Sequence, residues 1–169
     1  MNAMIVVIIG VAGVGKSTVG QLLAGELHCE FLDGDSLHSP ANIEKMTQGI
    51  PLTDADRAPW LEAIHARIVE SFQRRKSLVV ACSALKRQYR DTLERGVAIT
   101  WVYLKGCEEV IRRRLQYRQH HFMKPQMLTS QFADLEGPTD AIVIDIALEP
   151  SVAVRKIVNA VSPARAKAR

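Results

Sequence analysis

Apolar residues along this chain follow two spacings, and the two alternate. Short, mostly continuous apolar runs occupy residues 4–9, 29–33, 78–82, 99–104 and 141–145. Runs of this kind suit strands of a parallel sheet that is covered on both faces. Between them the apolar positions recur every three or four residues, which is the stripe of an amphipathic helix. Val19, Leu22, Leu23 and Leu27 form one such stripe, and Trp60, Leu61, Ile64, Ile68, Val69 and Phe72 form another.

Caps and breakers sharpen the helix limits. Ser39 reads as an N-cap, Pro40 as the first helical residue and Gly49 as the stop. A longer helix begins at Thr53 or Asp54 and ends near Arg74 and Arg75. Ser83 to Lys86 lead into a helix through Tyr89, Leu93 and Glu94, stopped by Gly96. Further helices are expected over 108–119, 127–135 and 150–161, with residues 120–125 interrupting the first two. Strands alternating with helices predict an α/β fold with a parallel sheet. The segment between the second and third strands holds two helices where one crossover would serve. That segment and the stretch around 118–131 are the irregular parts, suited to a cover and a lid over a bound ligand.

Length and composition restrict the class. The chain of 169 residues suits a single domain over 1–162 with one core, 47% apolar and 24% charged, followed by a basic tail at 163–169. The apolar start lacks a basic flank and no run is long enough to span a membrane, so a cytoplasmic protein is expected. Cys29, Cys82 and Cys107 show no paired spacing and read as reduced thiols. Net charge is +4, from 22 Lys and Arg against 18 Asp and Glu. Aromatic and basic residues do not interleave, so the charge points to a site for anionic small molecules and not to nucleic acid.

The stretch that carries chemistry follows the first strand: Gly10-Val11-Ala12-Gly13-Val14-Gly15-Lys16-Ser17-Thr18. Strand, glycine-rich loop and helix in that order are the setting of a phosphate-binding loop. Gly10, Gly13 and Gly15 let the backbone curl, so that N–H groups from Val14 and its neighbours face one concavity. The helix N-terminus at Lys16, Ser17 and Thr18 adds its unpaired N–H groups and positive dipole end. Lys16 would reach the terminal phosphates of ATP or GTP, and Ser17 would ligate Mg²⁺. The bland alternative is a tight turn with an exposed lysine.

Other candidates would choose the acceptor. Asp33 and Asp35 end the second strand, on the edge where open α/β sheets bind ligands. Asp33 suits Mg²⁺, and Asp35 suits orienting and deprotonating an acceptor hydroxyl; an Asx turn is the alternative. Arg57 suits a substrate carboxylate, or pairs locally with Asp54 or Asp56. Ala81-Cys82-Ser83 stands where many phosphate-loop proteins carry an aspartate, which leaves the metal to Ser17 and the second-strand acids. Lys86 and Arg90 share a helix face by spacing and could meet a polyhydroxy acid, or form a solvated face. Arg114 and Arg118 are also four apart, and a lid arginine would stabilise charge in transfer. Arg112 and Arg113 read as surface charge. His121 is a possible substrate contact or polar filler.

Together these stretches resemble the small phosphate-loop gluconokinases, relatives of shikimate and nucleoside monophosphate kinases. Beyond the loop, the resemblance lies in Asp33-Gly34-Asp35 with Leu37-His38, Asn42 to Met46, and Gly49 to Leu61. It continues through Ala81 to Lys86, Tyr89-Arg90-Asp91, His121-Phe122-Met123, Ser130-Gln131-Phe132 and Leu135-Glu136. The resemblance implies ATP- and Mg²⁺-dependent phosphorylation of D-gluconate to 6-phosphogluconate. It implies a three-layer fold with a five-stranded sheet in the order 2-3-1-4-5, a lid at about 118–131, and a homodimer. It places the Asp33-Gly34-Asp35 stretch with His38, and Arg57, on the acceptor side, Arg118 in the lid, and adenine near Arg114 and the 147–150 loop. The chain departs from the family at Ala12 and Val14, where small hydroxyl residues are frequent, and at His120, where a glycine often stands.

Two other functions stay open on sequence. A shikimate-type kinase of the same fold would show a Gly-rich stretch after the third strand, where this chain has Ala81-Cys82-Ser83-Ala84. A non-catalytic nucleotide-binding module would show a strand-end acid there or an appended partner domain.

Overall fold

A computed structural model describes residues 3–117 and 126–166. The elements run β1 (Ile5–Ile9), α1 (Lys16–Leu27), β2 (Glu30–Asp33), a 3-10 turn (Gly34–Leu37), α2 (Pro40–Thr47) and α3 (Asp54–Gln73). They continue with β3 (Leu78–Ala81), α4 (Arg87–Glu94), β4 (Ile99–Lys105), α5 (Glu108–Tyr117), α6 (Gln126–Asp134), β5 (Ile142–Asp145) and α7 (Pro150–Ala166). Among the described residues the strands form one parallel sheet in the order β2-β3-β1-β4-β5, as expected.

The central strand shows why a continuous apolar run was needed. Every residue of β1 is buried. Successive side chains of a strand point to opposite faces, so Val6 and Ile8 enter a core with Leu23, Leu27, Ile111 and Ile157, while Ile5, Val7 and Ile9 enter one with Trp60, Ile64, Ile68 and Leu93. Helices α1, α5 and α7 thus cover one face, and α3 and α4 the other. β1 is flanked by β3 and β4, with Ile5 level with both Leu78 and Ile99. Its carboxyl end therefore opens at the middle of the sheet edge. Asp33 reaches the same edge on β2, level with Ala81.

Two stripes are rotated from the expected ones. Leu22 is exposed, because the buried face of α1 is centred on Leu23 and takes in Gly20 and Ala24. Phe72 is exposed too; on α3 the inward position of that turn falls to Ser71. Helix α3 starts where expected, with Thr53 and Asp56 forming a reciprocal capping box. Helix α7 runs to Ala166, past the expected end at Val161 and into the stretch read as a tail. Much of the expected lid, 118–125, lies outside the described residues.

Candidate active site at the phosphate loop

The loop after β1 is shaped by its glycines. Gly15, the N-cap of α1, has φ 98°, a left-handed conformation that side-chain-bearing residues rarely adopt. This turn brings Lys16, Ser17 and Thr18 into the first turn of α1, where N–H groups have no intrahelical partner. The Lys16 ammonium folds back to donate to the Val11 carbonyl at 3.0 Å. Ala12, Gly13, Gly15, Lys16, Ser17 and Thr18 line one side of a cavity, and Asp35, His38 and Arg57 line it as well. The structure thus joins the loop to three of the residues expected with the acceptor, from different parts of the chain.

The two aspartates are held differently. The Ser17 hydroxyl donates to Asp33 Oδ2 at 2.7 Å, and Asp33 Oδ1 accepts the Asp35 N–H at 3.1 Å. The Asx-type contact left open by the sequence is therefore present, but it occupies only one carboxylate oxygen. The other meets the loop serine. A hydroxyl and a carboxylate side by side are hard oxygen donors of the kind Mg²⁺ takes alongside water and phosphate. At Gly34 the chain turns away from extension, so the Asp33 and Asp35 carboxylates do not share one strand face. A β-carbon at Gly34 would stand 2.7 Å from the Ala81 carbonyl oxygen, so the turn can lie this close to β3 only with glycine. The Trp60 indole N–H fastens it by donating to the Gly34 carbonyl at 2.7 Å. Nearby, Cys82 is fully buried, and burial pushes its thiol up to about 12, so it stays neutral.

His38 has a defined proton. The Asn42 amide nitrogen donates to the Asp56 carbonyl at 2.9 Å, which fixes its orientation, and the same nitrogen lies 3.4 Å from His38 Nδ1. Nδ1 therefore accepts, and the neutral ring carries its proton on Nε2. The ring stacks on Trp60 with centroids 4.2 Å apart. Burial lowers its pKa; Asp35 opposes that shift and Arg57 adds to it.

Arg57 is set in a network that links three helices. Its Nη1 donates to the Tyr89 hydroxyl at 3.1 Å and lies 3.6 Å from the Asp134 carboxylate. Tyr89 in turn donates a hydrogen bond to Asp54. Lys86 pairs with Asp54 at 2.8 Å and approaches Asp134 at 3.6 Å. Bonds from Lys86 first, then Tyr89, draw the Asp54 carboxyl down to about 2. Asp56 is committed to Lys45 at 2.8 Å and to the α3 cap. The local acid partners considered for Arg57 are thus engaged by other groups.

Lys86 and Arg90 do not share a helix face. Lys86 is the N-cap of α4 and turns toward Asp54 and Asp134. Arg90 is buried, and its Nη1 donates to the Ala84 and Leu85 carbonyls, both at 3.0 Å. It supports the loop after β3 and is absent from the residues lining the cavity. Spacing alone misplaced it, because the helix begins only at Arg87. On the other side of the loop, Arg114 donates to the Ile146 carbonyl at 2.8 Å. It lines a groove with Val14, Gly15, Thr18, Ala147 and Pro150, of which Gly15 and Thr18 also line the cavity. Arg112 pairs with Glu108 and reaches Thr129, while Arg113 is an exposed partner of Glu109. Arg118 and His121 lie outside the described residues.

Several residues around the site had no chemical role assigned from the sequence, although Trp60, Tyr89 and Gln131 fall in stretches that carry the resemblance. Trp60 looked only like helix stripe, Tyr89 like core, and Gln131 and Asp134 carried no assigned role. The available signal for Gln131 was a polar residue on the inward stripe of α6, one turn after Met127 and Leu128, both buried.

Comparison with known proteins agrees with this geometry. A family model described as an AAA domain matches residues 5–137. The thermoresistant gluconokinase of Escherichia coli (strain K12) is 47% identical over 147 residues, covering 84% of each chain. The crystal structure of a sugar kinase from Janibacter sp. HTCC2649 superposes with a TM-score of 0.88 at 39% identity over 93% of each chain. That of a gluconokinase from Sinorhizobium meliloti 1021 superposes with a TM-score of 0.84 at 40% identity, over 96% of this chain and 93% of the other. A nucleotide-binding phosphate loop, the kinase sheet order and this likeness over most of its length place the chain in the gluconokinase family.

Proposed function

We propose that this protein transfers the terminal phosphoryl group of ATP to a hydroxyl of D-gluconate, giving 6-phospho-D-gluconate and ADP. The observation that carries this is the single cavity shared by Lys16, Ser17, Asp35, His38 and Arg57. It puts a polyphosphate cradle, a carboxylate and a guanidinium within reach of one small anion. The relatives named gluconokinase supply the acceptor's identity.

In this reading the bond from the terminal phosphorus to its bridging oxygen breaks, and one to the acceptor oxygen forms. Asp35 orients the acceptor hydroxyl and takes its proton. The loop amides of Gly13 to Thr18 and the Lys16 ammonium hold the phosphates, with Gly10 shaping the loop behind them. Ser17 and Asp33 hold Mg²⁺, which when bound neutralises phosphate charge. Arg57 binds the acceptor carboxylate, and neutral His38 donates from Nε2 to an acceptor oxygen. Lys86 adds positive charge beside Arg57. Arg114 lines the place for the base, and Arg118 and His121 belong to the lid, about 118–131.

A homodimer in the cytoplasm completes the proposal. The three cysteines, none of them in a disulfide, suit a reducing compartment, and among the described residues no helix is long and apolar enough to cross a membrane. The exposed Val110 and Val143 line one surface groove, which suits a subunit contact.

The test is an ADP-release assay with Mg-ATP and D-gluconate, shikimate or no acceptor. Turnover only with gluconate is expected. Turnover with shikimate alone, or none above the blank with any acceptor, overturns the assignment.

A further inference from the structure

Gln131 is a buried glutamine, 6% exposed, on the inward side of α6. Its Oε1 accepts a hydrogen bond from the Ala12 backbone N–H at 2.7 Å, across 119 residues of sequence. Both residues line the cavity that holds Lys16, Ser17 and Asp35. A backbone N–H can only donate, so the contact settles which end of the carboxamide meets the loop.

The helix behind Gln131 is braced. Leu128, one turn earlier, is fully buried in the core with Val14 and Leu115, and Met127 packs with Met46 and Leu52. Beyond the helix, the Glu136 N–H donates to the Leu85 carbonyl at 3.0 Å, and the Glu136 carboxylate accepts the Arg87 N–H at 2.7 Å. The carboxamide therefore stands on a fixed element, while its partner is the acceptor-side shoulder of a glycine-rich loop. Without Gln131 the Ala12 N–H would lose a buried acceptor, and the loop would be released to find another.

We propose that Gln131 is a positioning residue for phosphoryl transfer. By holding Ala12 it fixes the loop's acceptor-side end, and so sets where the transferable phosphoryl group stands relative to Asp35. This rests on the reading of the cavity as a phosphoryl-transfer site. Such transfer is largely positioning and electrostatics, and a displacement of about 1 Å costs on the order of 10²-fold in rate. A displaced phosphoryl group is also more open to water than to the acceptor hydroxyl.

Two variants of similar reach separate positioning from bulk structure. Gln131→Met removes the acceptor atom; Gln131→Glu keeps one and adds a charge. In Gln131→Met, kcat with gluconate falls by about 10–100-fold while KM for gluconate stays within about twofold. ADP formed then exceeds gluconate phosphorylated, a ratio that a merely structural role would not move. In Gln131→Glu the ratio stays at unity, but the added charge raises KM for Mg-ATP by about tenfold, less so at high salt. Amide exchange at the Ala12 N–H, read by NMR, is slow in the wild type and Gln131→Glu and fast in Gln131→Met. Wild-type kcat and product ratio in Gln131→Met, or unchanged exchange at Ala12, overturn the proposal. If Gln131→Met does not fold, Gln131→Glu decides: fast exchange at Ala12 with the acceptor oxygen retained, or a product ratio above unity, overturns it. A wild type that does not phosphorylate gluconate defeats the acceptor assignment instead, and the Ala12 exchange and Mg-ATP affinity of the variants then decide Gln131.

Discussion

The Ser17 hydroxyl meets the Asp33 carboxylate at 2.7 Å, joining the first turn of α1 to the end of β2. No acid stands at the end of β3, where Ala81 lies level with Asp33. The outer strand thus supplies a carboxylate beside the loop serine. Asp33→Asn keeps a side-chain oxygen to accept from Ser17 but loses the charge that favours a cation. The expected outcome is a rise in the Mg²⁺ concentration needed for half-maximal rate, by about tenfold, with a thermal midpoint close to that of the wild type. A magnesium titration of the initial rate, beside a melting curve, checks both.

Asp35 lines the cavity while Asp33 is engaged with Ser17, so the two acids should fail differently. Asp35→Asn is expected to lower turnover by roughly 10²–10⁴-fold, the usual share of a general base. Mg-ATP binding should be nearly intact. Titration with a fluorescent nucleotide, set against the coupled assay, separates the two. Full activity in this variant removes Asp35 from the mechanism.

The Tyr89 hydroxyl lies between Arg57 and Asp54, accepting from one and donating to the other. Tyr89→Phe keeps the ring under Arg57 and Lys86 but removes both bonds. Arg57 then loses its orientation, and KM for the acceptor should rise by about 5–10-fold with a smaller change in kcat. The cost in stability is about 1 kcal/mol, or a fall of roughly 2–4 °C in melting temperature. Steady-state kinetics and a melting curve test this.

His38 makes stability depend on pH. Burial holds its folded pKa below the ordinary 6.5. The unfolded chain therefore binds more protons than the folded one between the two values. Stability from the neutral, stacked ring is fully present above about 6.5, and it declines as pH falls toward the folded value. Urea unfolding of the wild type between about pH 8 and 5 should show this decline. His38→Gln should flatten that part of the curve. An equal slope in both proteins removes His38 as the cause.

Local features were legible because neighbouring residues create them. The phosphate loop, the Ser39–Pro40 start of α2 and the Thr53–Asp56 box each depend on contiguous backbone geometry, and all stand where expected. Strand order was legible only through family likeness, since apolar runs do not say which strand lies beside which. Leu22 and Phe72 show the limit of periodicity: it finds a stripe but not its centre, which depends on the partner surface. Arg90 shows another limit. Its charge suggested a ligand, yet burial placed it on two backbone carbonyls.

By itself the sequence determined a parallel α/β sheet, a phosphate loop between β1 and α1, and acids at the end of β2. Each follows from side-chain pattern or backbone freedom within a short stretch. Only the tertiary structure decided that Gln131 grips Ala12, that Tyr89 and Asp134 meet Arg57, and that His38 stacks on Trp60. Apolar burial is non-directional, so pattern specifies which faces go inward. The pairing of particular polar groups is settled only when packed elements fix their distances and angles.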